Sequence, residues 1–259
     1  MPLTPGPGPA LHYRVDGPED APALVLSNSL GSDLSMWEEQ IPALAQRYRM
    51  VRYDTRGHGG SEVAPGPYTI EQLGQDVLRL LDHLGLERAH FCGLSMGGLT
   101  GLWLGRFRPA RLRRLIVCNS AARVGSAASW AERIAKVQGE GMAALADTVV
   151  PRWFSAPFYA AQPARMAQLK TVFGATLPAG YMANCAALAD ADLRGELGAI
   201  QVPTLVIGGT HDLSTPQEQA HELVRGIPGA RGVILEAGPL SNIEQAERFN
   251  TEVLAHLDA

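Results

Sequence analysis

Apolar residues in the first half of the chain follow two alternating rhythms. Short apolar runs at Leu11–Val15, Ala23–Ser27, Met50–Tyr53, His90–Leu94 and Leu115–Asn119 predict strands, the first two as an opening pair. Between them lie stretches with helical spacing. Leu73, Val77, Leu80, Leu81 and Leu84 share one face of a helix over Ile70–Leu84, and further helices are expected near Trp37–Gln46 and over Met96–Phe107. Strands alternating with helices imply a mainly parallel sheet flanked on both faces, because parallel neighbours need crossover connections.

After Asn119 the rhythm changes. Residues 121–200 carry helical patterns at Ser126–Gly139, Gly141–Val150, Pro163–Thr171 and Ala179–Ala189, punctuated by prolines, and no strand signal. Alternation resumes with Pro203–Gly208, Pro216–Gly226, Gly232–Glu236 and Ile243–Leu257. One α/β domain over residues 1–259, interrupted by a helical cap insertion at 121–200, accounts for this order. The insertion follows the C-terminal end of a strand, where open parallel sheets form their sites, so it is placed to roof one. A chain of 259 residues suits one large domain.

Charge and composition remove several partners from consideration. A formal net charge of −4 gives no reason to expect nucleic acid or an anionic membrane. The densest positive group, Arg106, Arg108, Arg111, Arg113 and Arg114, falls around a helix end and the next strand and reads as solvated surface. The Pro- and Gly-rich start, Met1 to Ala10, lacks the basic and apolar regions of a signal peptide. No apolar run approaches the ~20 residues that span a bilayer. Cys92, Cys118 and Cys185 sit apart in apolar contexts and read as buried free thiols. The expectation is a cytoplasmic protein, monomeric or a small homo-oligomer, acting on a small molecule. Gly57-His58-Gly59-Gly60 fails as a dinucleotide fingerprint because Glu62 takes the third glycine position, and no Asp/His cluster has metal-ligand spacing. No cofactor is expected.

The strongest chemical signal is Gly93-Leu94-Ser95-Met96-Gly97-Gly98, between an apolar strand and a helix. A sharp strand-to-helix turn there would lift the Ser95 hydroxyl out of the sheet, with Gly93 and Gly97 leaving room for crowded backbone. A nucleophilic serine needs amide donors for the oxyanion that develops on the attacked carbonyl. Met96, next in the chain, is one candidate. Leu30, in the loop Asn28-Ser29-Leu30-Gly31, is the other, unless that loop is a plain glycine turn. Asp212, at the tip of Gly209-Thr210-His211-Asp212, stands where an orienting acid should follow a late strand, although Asp also favours caps and turns. In this chain order the histidine comes last, after the strand Gly232–Glu236. The loop there reads Ala237-Gly238-Pro239-Leu240-Ser241-Asn242, with no histidine.

Taken together, Leu26–Gly31, Met36-Trp37, Asp54–Gly59, Gly93–Gly98, Cys118–Arg123, Arg152-Trp153-Phe154, Gly209–Asp212 and Leu240–Gln245 resemble the corresponding segments of 3-oxoadipate enol-lactonases, a branch of the α/β-hydrolases. That resemblance runs over nearly the whole chain. It implies hydrolysis of a small anionic enol-lactone in aromatic catabolism, by the β-ketoadipate route, without metal or organic cofactor. It also implies Ser95 as nucleophile, Asp212 as orienting acid, and Leu30 and Met96 as oxyanion donors. Trp130, Arg133, Trp153, Phe154 and Tyr181 resemble family positions near the substrate, with Arg133 suited to clamp a carboxylate. The bland alternative is that the aromatics only hold the cap and Arg133 lies on an exposed face. The residue preceding Leu-Ser-Asn is the family's catalytic histidine, and here it is Pro239.

Proline has no titratable side chain, so it cannot take the serine proton or return it. The sequence therefore implies severely impaired serine-mediated hydrolysis on an intact fold. Loss of the imidazole should also deprive Asp212 of a partner and leave a small polar void. His58 is expected to hold its loop, His211 need not aim at the same point as Asp212, and His12, His83, His90, His221 and His256 should be distant. Two other readings stay open: a lyase or rearrangement that needs no serine base, or a small-molecule-binding protein without catalysis.

Overall fold

In the computed structural model, which describes residues 2–4 and 6–259, seven strands form one sheet. They are β1 (Tyr13–Asp16), β2 (Ala23–Ser27), β3 (Arg49–Tyr53), β4 (Ala89–Leu94), β5 (Leu112–Cys118), β6 (Thr204–Gly209) and β7 (Arg231–Leu235). Their order is β1-β3-β2-β4-β5-β6-β7, and only the β1–β3 pair is antiparallel. β2 and β4 are buried at every position, as strands covered on both faces must be. The chain runs outward from β2 to β3, then back across to β4. This reversal opens a crevice beyond the C-terminal ends of β2 and β4.

Both opening strands are present, but they are not hydrogen-bonded to each other. β3 lies between them, with Tyr13 opposite Tyr53 and Val25 opposite Val51. β1 is an edge strand with two exposed residues, so its short apolar run carried no information about its neighbour.

The helices are α1 (Ile41–Leu44), α2 (Ile70–His83), α3 (Met96–Phe107), α4 (Ala127–Val149), α5 (Ala156–Ala161), α6 (Pro163–Ala175), α7 (Pro178–Asp190), α8 (Gln217–Gly226), α9 (Ser241–Glu244) and α10 (Ala246–Leu257). α2 starts on a reciprocal cap between Thr69 and Gln72 and buries Leu73, Val77, Leu80 and Leu81. The helix expected near Trp37–Gln46 is instead a 3-10 segment, Leu34–Gln40, followed by α1. Pro42 lacks an N–H and fits only a first turn, so the helix restarts there. The expected helix Ile243–Leu257 is likewise divided, at Gln245 (φ −125°, ψ 45°). α4 joins the two helices expected at 126–150 and kinks at Gly141, where φ is 78°.

Between β5 and β6 the chain is helical, from α4 to α7. One continuous apolar core links this segment to the sheet, with Trp153, Phe173 and Tyr181 packed edge to face at its centre. Each large apolar side chain so buried contributes about 1.5–3 kcal/mol. The three cysteines are free and buried, with Cys92 and Cys118 at 3.8 Å on adjacent strands. Arg106 and Arg111 pair with Glu196 and Asp82 at the surface. Among the described residues no single helix is long and apolar enough to cross a membrane.

Candidate active site

β4 delivers Ser95 to the crevice through a strained turn. Ser95 has φ 56° and ψ −113°, a backbone conformation that L-residues avoid. Three bonds hold it: its N–H donates to Cys118 O at 2.9 Å, while its carbonyl accepts from Leu99 N–H at 3.0 Å and Ser120 Oγ at 2.7 Å. The flanking glycines are required by contact. A Cβ on Gly93 would lie 2.1 Å from Gly97 O, and one on Gly97 would lie 2.2 Å from Ser27 O. The Ser95 hydroxyl faces a cavity of about 350 Å³.

The loop after β2 is fixed from several sides. Asn28 donates to Tyr53 O (2.8 Å), accepts from Trp37 Nε1 (2.9 Å) through its side chain, and accepts from Gly97 N–H (3.1 Å) through its carbonyl. Gly31, at φ 78°, donates its N–H to His58 Nε2 at 2.9 Å. Leu30 lines the cavity beside Ser95. The N–H groups of Leu30 and Met96 have no hydrogen-bond partner among the described residues, and Met96 begins α3. Free amide donors of this kind are suited to receive negative charge.

Asp212, just beyond β6, is buried, and its carboxylate accepts four bonds. Oδ1 takes Ser214 N–H and Thr215 N–H, both at 2.8 Å. Oδ2 takes Thr215 Oγ1 at 2.7 Å and Asn119 Nδ2 at 3.1 Å. The expectation that Asp212 lacks a partner is therefore corrected: neighbouring residues satisfy it without an imidazole. Asn119, missed in the sequence, has φ 43° and also donates to Gly238 O at 3.3 Å and accepts from Ser241 Oγ at 2.5 Å. It ties the acid loop to the loop carrying Pro239.

Pro239 is buried between two tethers. On one side Gly238 N–H donates to Glu244 Oε2 at 2.9 Å, and on the other Leu240 N–H donates to Trp153 O at 3.0 Å. Glu244 also accepts from the Ser155 N–H and hydroxyl, so one carboxylate joins this loop to the helical segment. No histidine lines the Ser95 cavity among the described residues. His58 is buried with its Nε2 occupied by Gly31, and burial lowers its pKa to about 4. His12 pairs with Asp54 at 2.6 Å, His83 with Tyr13 at 3.0 Å, and His256 lies 3.3 Å from Pro203 O. His90 packs edge-on to Tyr48, and His221 is exposed on α8. His211, beside Asp212, lines a different groove.

Above Ser95 the helical segment supplies Trp130, Arg133, Trp153 and Tyr181, which the structure brings together. Phe154 is a correction. It lines the neighbouring groove and stacks on Phe158 at 5.3 Å, because successive residues at the end of the 3-10 turn Val150–Trp153 face opposite sides. Arg152 lines the cavity although only its motif drew attention in the sequence. Arg133 donates to Tyr181 Oη at 3.3 Å, and burial raises the Tyr181 pKa. Neither arginine forms an ion pair among the described residues, and no carboxylate lines the cavity. The cavity is cationic. Among the described residues no group of three or more His, Cys, Asp or Glu side chains is arranged to hold a metal.

A strand-to-helix serine, free amides and a late buried acid on a mostly parallel sheet define a class. A model of the alpha/beta hydrolase fold matches residues 22–169, and the chain belongs to that family. Within it, the chain is 44% identical to 3-oxoadipate enol-lactonase 2 of Acinetobacter baylyi, over 95% of this chain and 92% of that protein. The crystal structure of the enol-lactonase from Burkholderia xenovorans LB400 superposes with a TM-score of 0.98 at 51% identity, covering 100% of both chains. A putative carbamate hydrolase RutD of Stutzerimonas stutzeri is 34% identical over 95% of this chain and 96% of its own length. The resemblance to enol-lactonases read from the sequence is borne out, as is the α/β-hydrolase fold.

Proposed function

We propose that this chain is an enol-lactone hydrolase by descent, with a cavity for a small anionic lactone and a catalytic apparatus lacking its base. Ser95 is the nucleophile, the Leu30 and Met96 amides receive the oxyanion, and Asp212 is set to orient an imidazole that Pro239 has replaced. Arg133 and Arg152 receive the substrate carboxylate, flanked by Trp130 and Trp153. A guanidinium–carboxylate contact is a strong charge-assisted bond in such a site. Likeness to enol-lactonases over the full chain supports the substrate class.

The observation that carries the reading is the unpartnered Ser95 hydroxyl, beside two unpartnered amides, in a cavity that no histidine lines. Without a base the hydroxyl proton has no acceptor, and attack on the lactone carbonyl slows severely. The test is hydrolysis of 3-oxoadipate enol-lactone by the purified chain and by its Pro239→His variant. A low rate that rises sharply in the variant is expected; equal rates would dismiss the role given to position 239.

The cationic cavity also supports a second reading, retention of an anionic small molecule without turnover. Equilibrium binding of 3-oxoadipate, with no turnover restored by Pro239→His, would favour it over the first.

A further inference from the structure

A second, larger groove of about 820 Å³ lies beside the Ser95 cavity, and the two share a single lining residue, Leu213. Leu213 follows Asp212 directly and is 76% exposed, a leucine held out from the core into the space between them. Trp153 and Phe154 divide in the same way, the first facing the cavity and the second the groove. Leu213 and the Trp153–Phe154 step thus lie along the border of the two spaces. Beyond it the groove presents Phe154, Ala156, Pro157, Phe158 and Ala161, with Glu236 and Glu244 also on its lining.

We propose that this groove is a second subsite, which takes a neutral apolar chain extending from a substrate held at Ser95, and that Leu213 is the residue limiting entry to it. The inference rests on the hydrolase reading for the position of the reacting carbonyl. Adjacency at Leu213 places the groove within reach of a chain extending from a molecule held at Ser95. The aromatic and alanine lining favours methylenes, while the two carboxylates oppose a negative tail. In the present chain Leu213 confines the site to small substrates. Truncating it joins the two spaces.

Two measurements test this. In a Pro239→His background, kcat/KM is measured for p-nitrophenyl acetate and p-nitrophenyl octanoate, with and without Leu213→Ala. Burial of each methylene is worth a factor of about four, so burial of even two raises the octanoate-to-acetate ratio by about ten-fold or more. Ala156→Trp, which fills the groove, should return the ratio toward its starting value. An unchanged ratio in an active background overturns the subsite. Should Pro239→His hydrolyse neither these esters nor the enol-lactone, the hydrolase reading fails, and calorimetric binding of butyrate and octanoate to the chain and to Leu213→Ala decides the subsite alone. A preference for octanoate that grows about ten-fold with Leu213→Ala supports it. An unchanged preference overturns it.

Discussion

Replacing Pro239 with histidine is the sharpest perturbation available. Removing one member of a Ser–His–Asp unit costs up to ~10⁶ in turnover, while amide donors and binding alone leave roughly 10³–10⁴ over water. Two features of the structure bear on how a histidine would sit there. Loop 238–240 is tethered on both sides of the substitution, by Glu244 at 2.9 Å and Trp153 at 3.0 Å, so a new side chain starts from a defined backbone. Oδ2 of Asp212 already accepts from Thr215 and Asn119 and must share an imidazole N–H with them. The longer Asn119 contact, at 3.1 Å, is the one to yield. Partial recovery follows, an expected rise of ~10⁴ in kcat, or about 5 kcal/mol of barrier. The assay is release of p-nitrophenol from p-nitrophenyl acetate, with the enol-lactone as second substrate, across pH 5 to 9. Neutral imidazole is the base, so the restored rate should grow as pH rises through about 6.5 and vanish in acid. A gain below about ten-fold in a folded variant refutes the reasoning. So does a gain that persists when Ser95 is also changed to alanine.

Three further outcomes are expected. In the Pro239→His background, Arg133→Leu and Arg152→Leu should each raise KM for the anionic lactone by about ten- to a hundred-fold, through loss of a charged hydrogen bond, with a smaller effect on a neutral aryl ester. Gly97→Ala drives a Cβ to 2.2 Å from Ser27 O, a backbone clash that no side-chain rotation relieves. Chemical denaturation should register a loss of ~3 kcal/mol or more, or no soluble protein. His58 has a folded pKa of about 4, against an unfolded value near 6.5, so between these the unfolded chain binds the extra proton. Its stabilisation is complete above about pH 6.5 and is lost as pH falls toward 4, on the order of 3 kcal/mol for one buried imidazole. His90 and His256 shift the same way, so thermal melting should fall over this range in the unmutated chain and less steeply in His58→Gln.

Local signals carried most of the element assignments. β2 and α3 coincide with their sequence-derived bounds because one is a continuous apolar run and the other begins at the Ser95 turn. The position of β3 between β1 and β2 was not legible, since strand order depends on crossover path and not on the composition of either strand. The placement of Ser95 at a strand-to-helix turn and of Asp212 beyond a late strand was legible through chain order. Asn119 was not, because its role arises from a left-handed backbone that joins two loops distant in sequence. Arg152 was within reach: it adjoins Trp153, and the side chains flanking a candidate substrate residue at a turn merit equal weight. Phe154 lies outside the Ser95 cavity, and adjacency says nothing about which side of a wall a ring occupies.

The four donors around Asp212 have a consequence for how such a protein persists. None of them comes from position 239, so with a proline there the buried carboxylate is still fully partnered and no charge is orphaned. The contacts that satisfy this carboxylate are separate from the side chain at 239. A cell that screens proteins by misfolding would treat chains with proline or histidine at 239 alike, and melting curves should differ little. Solubility alone therefore places little demand on the residue at this position.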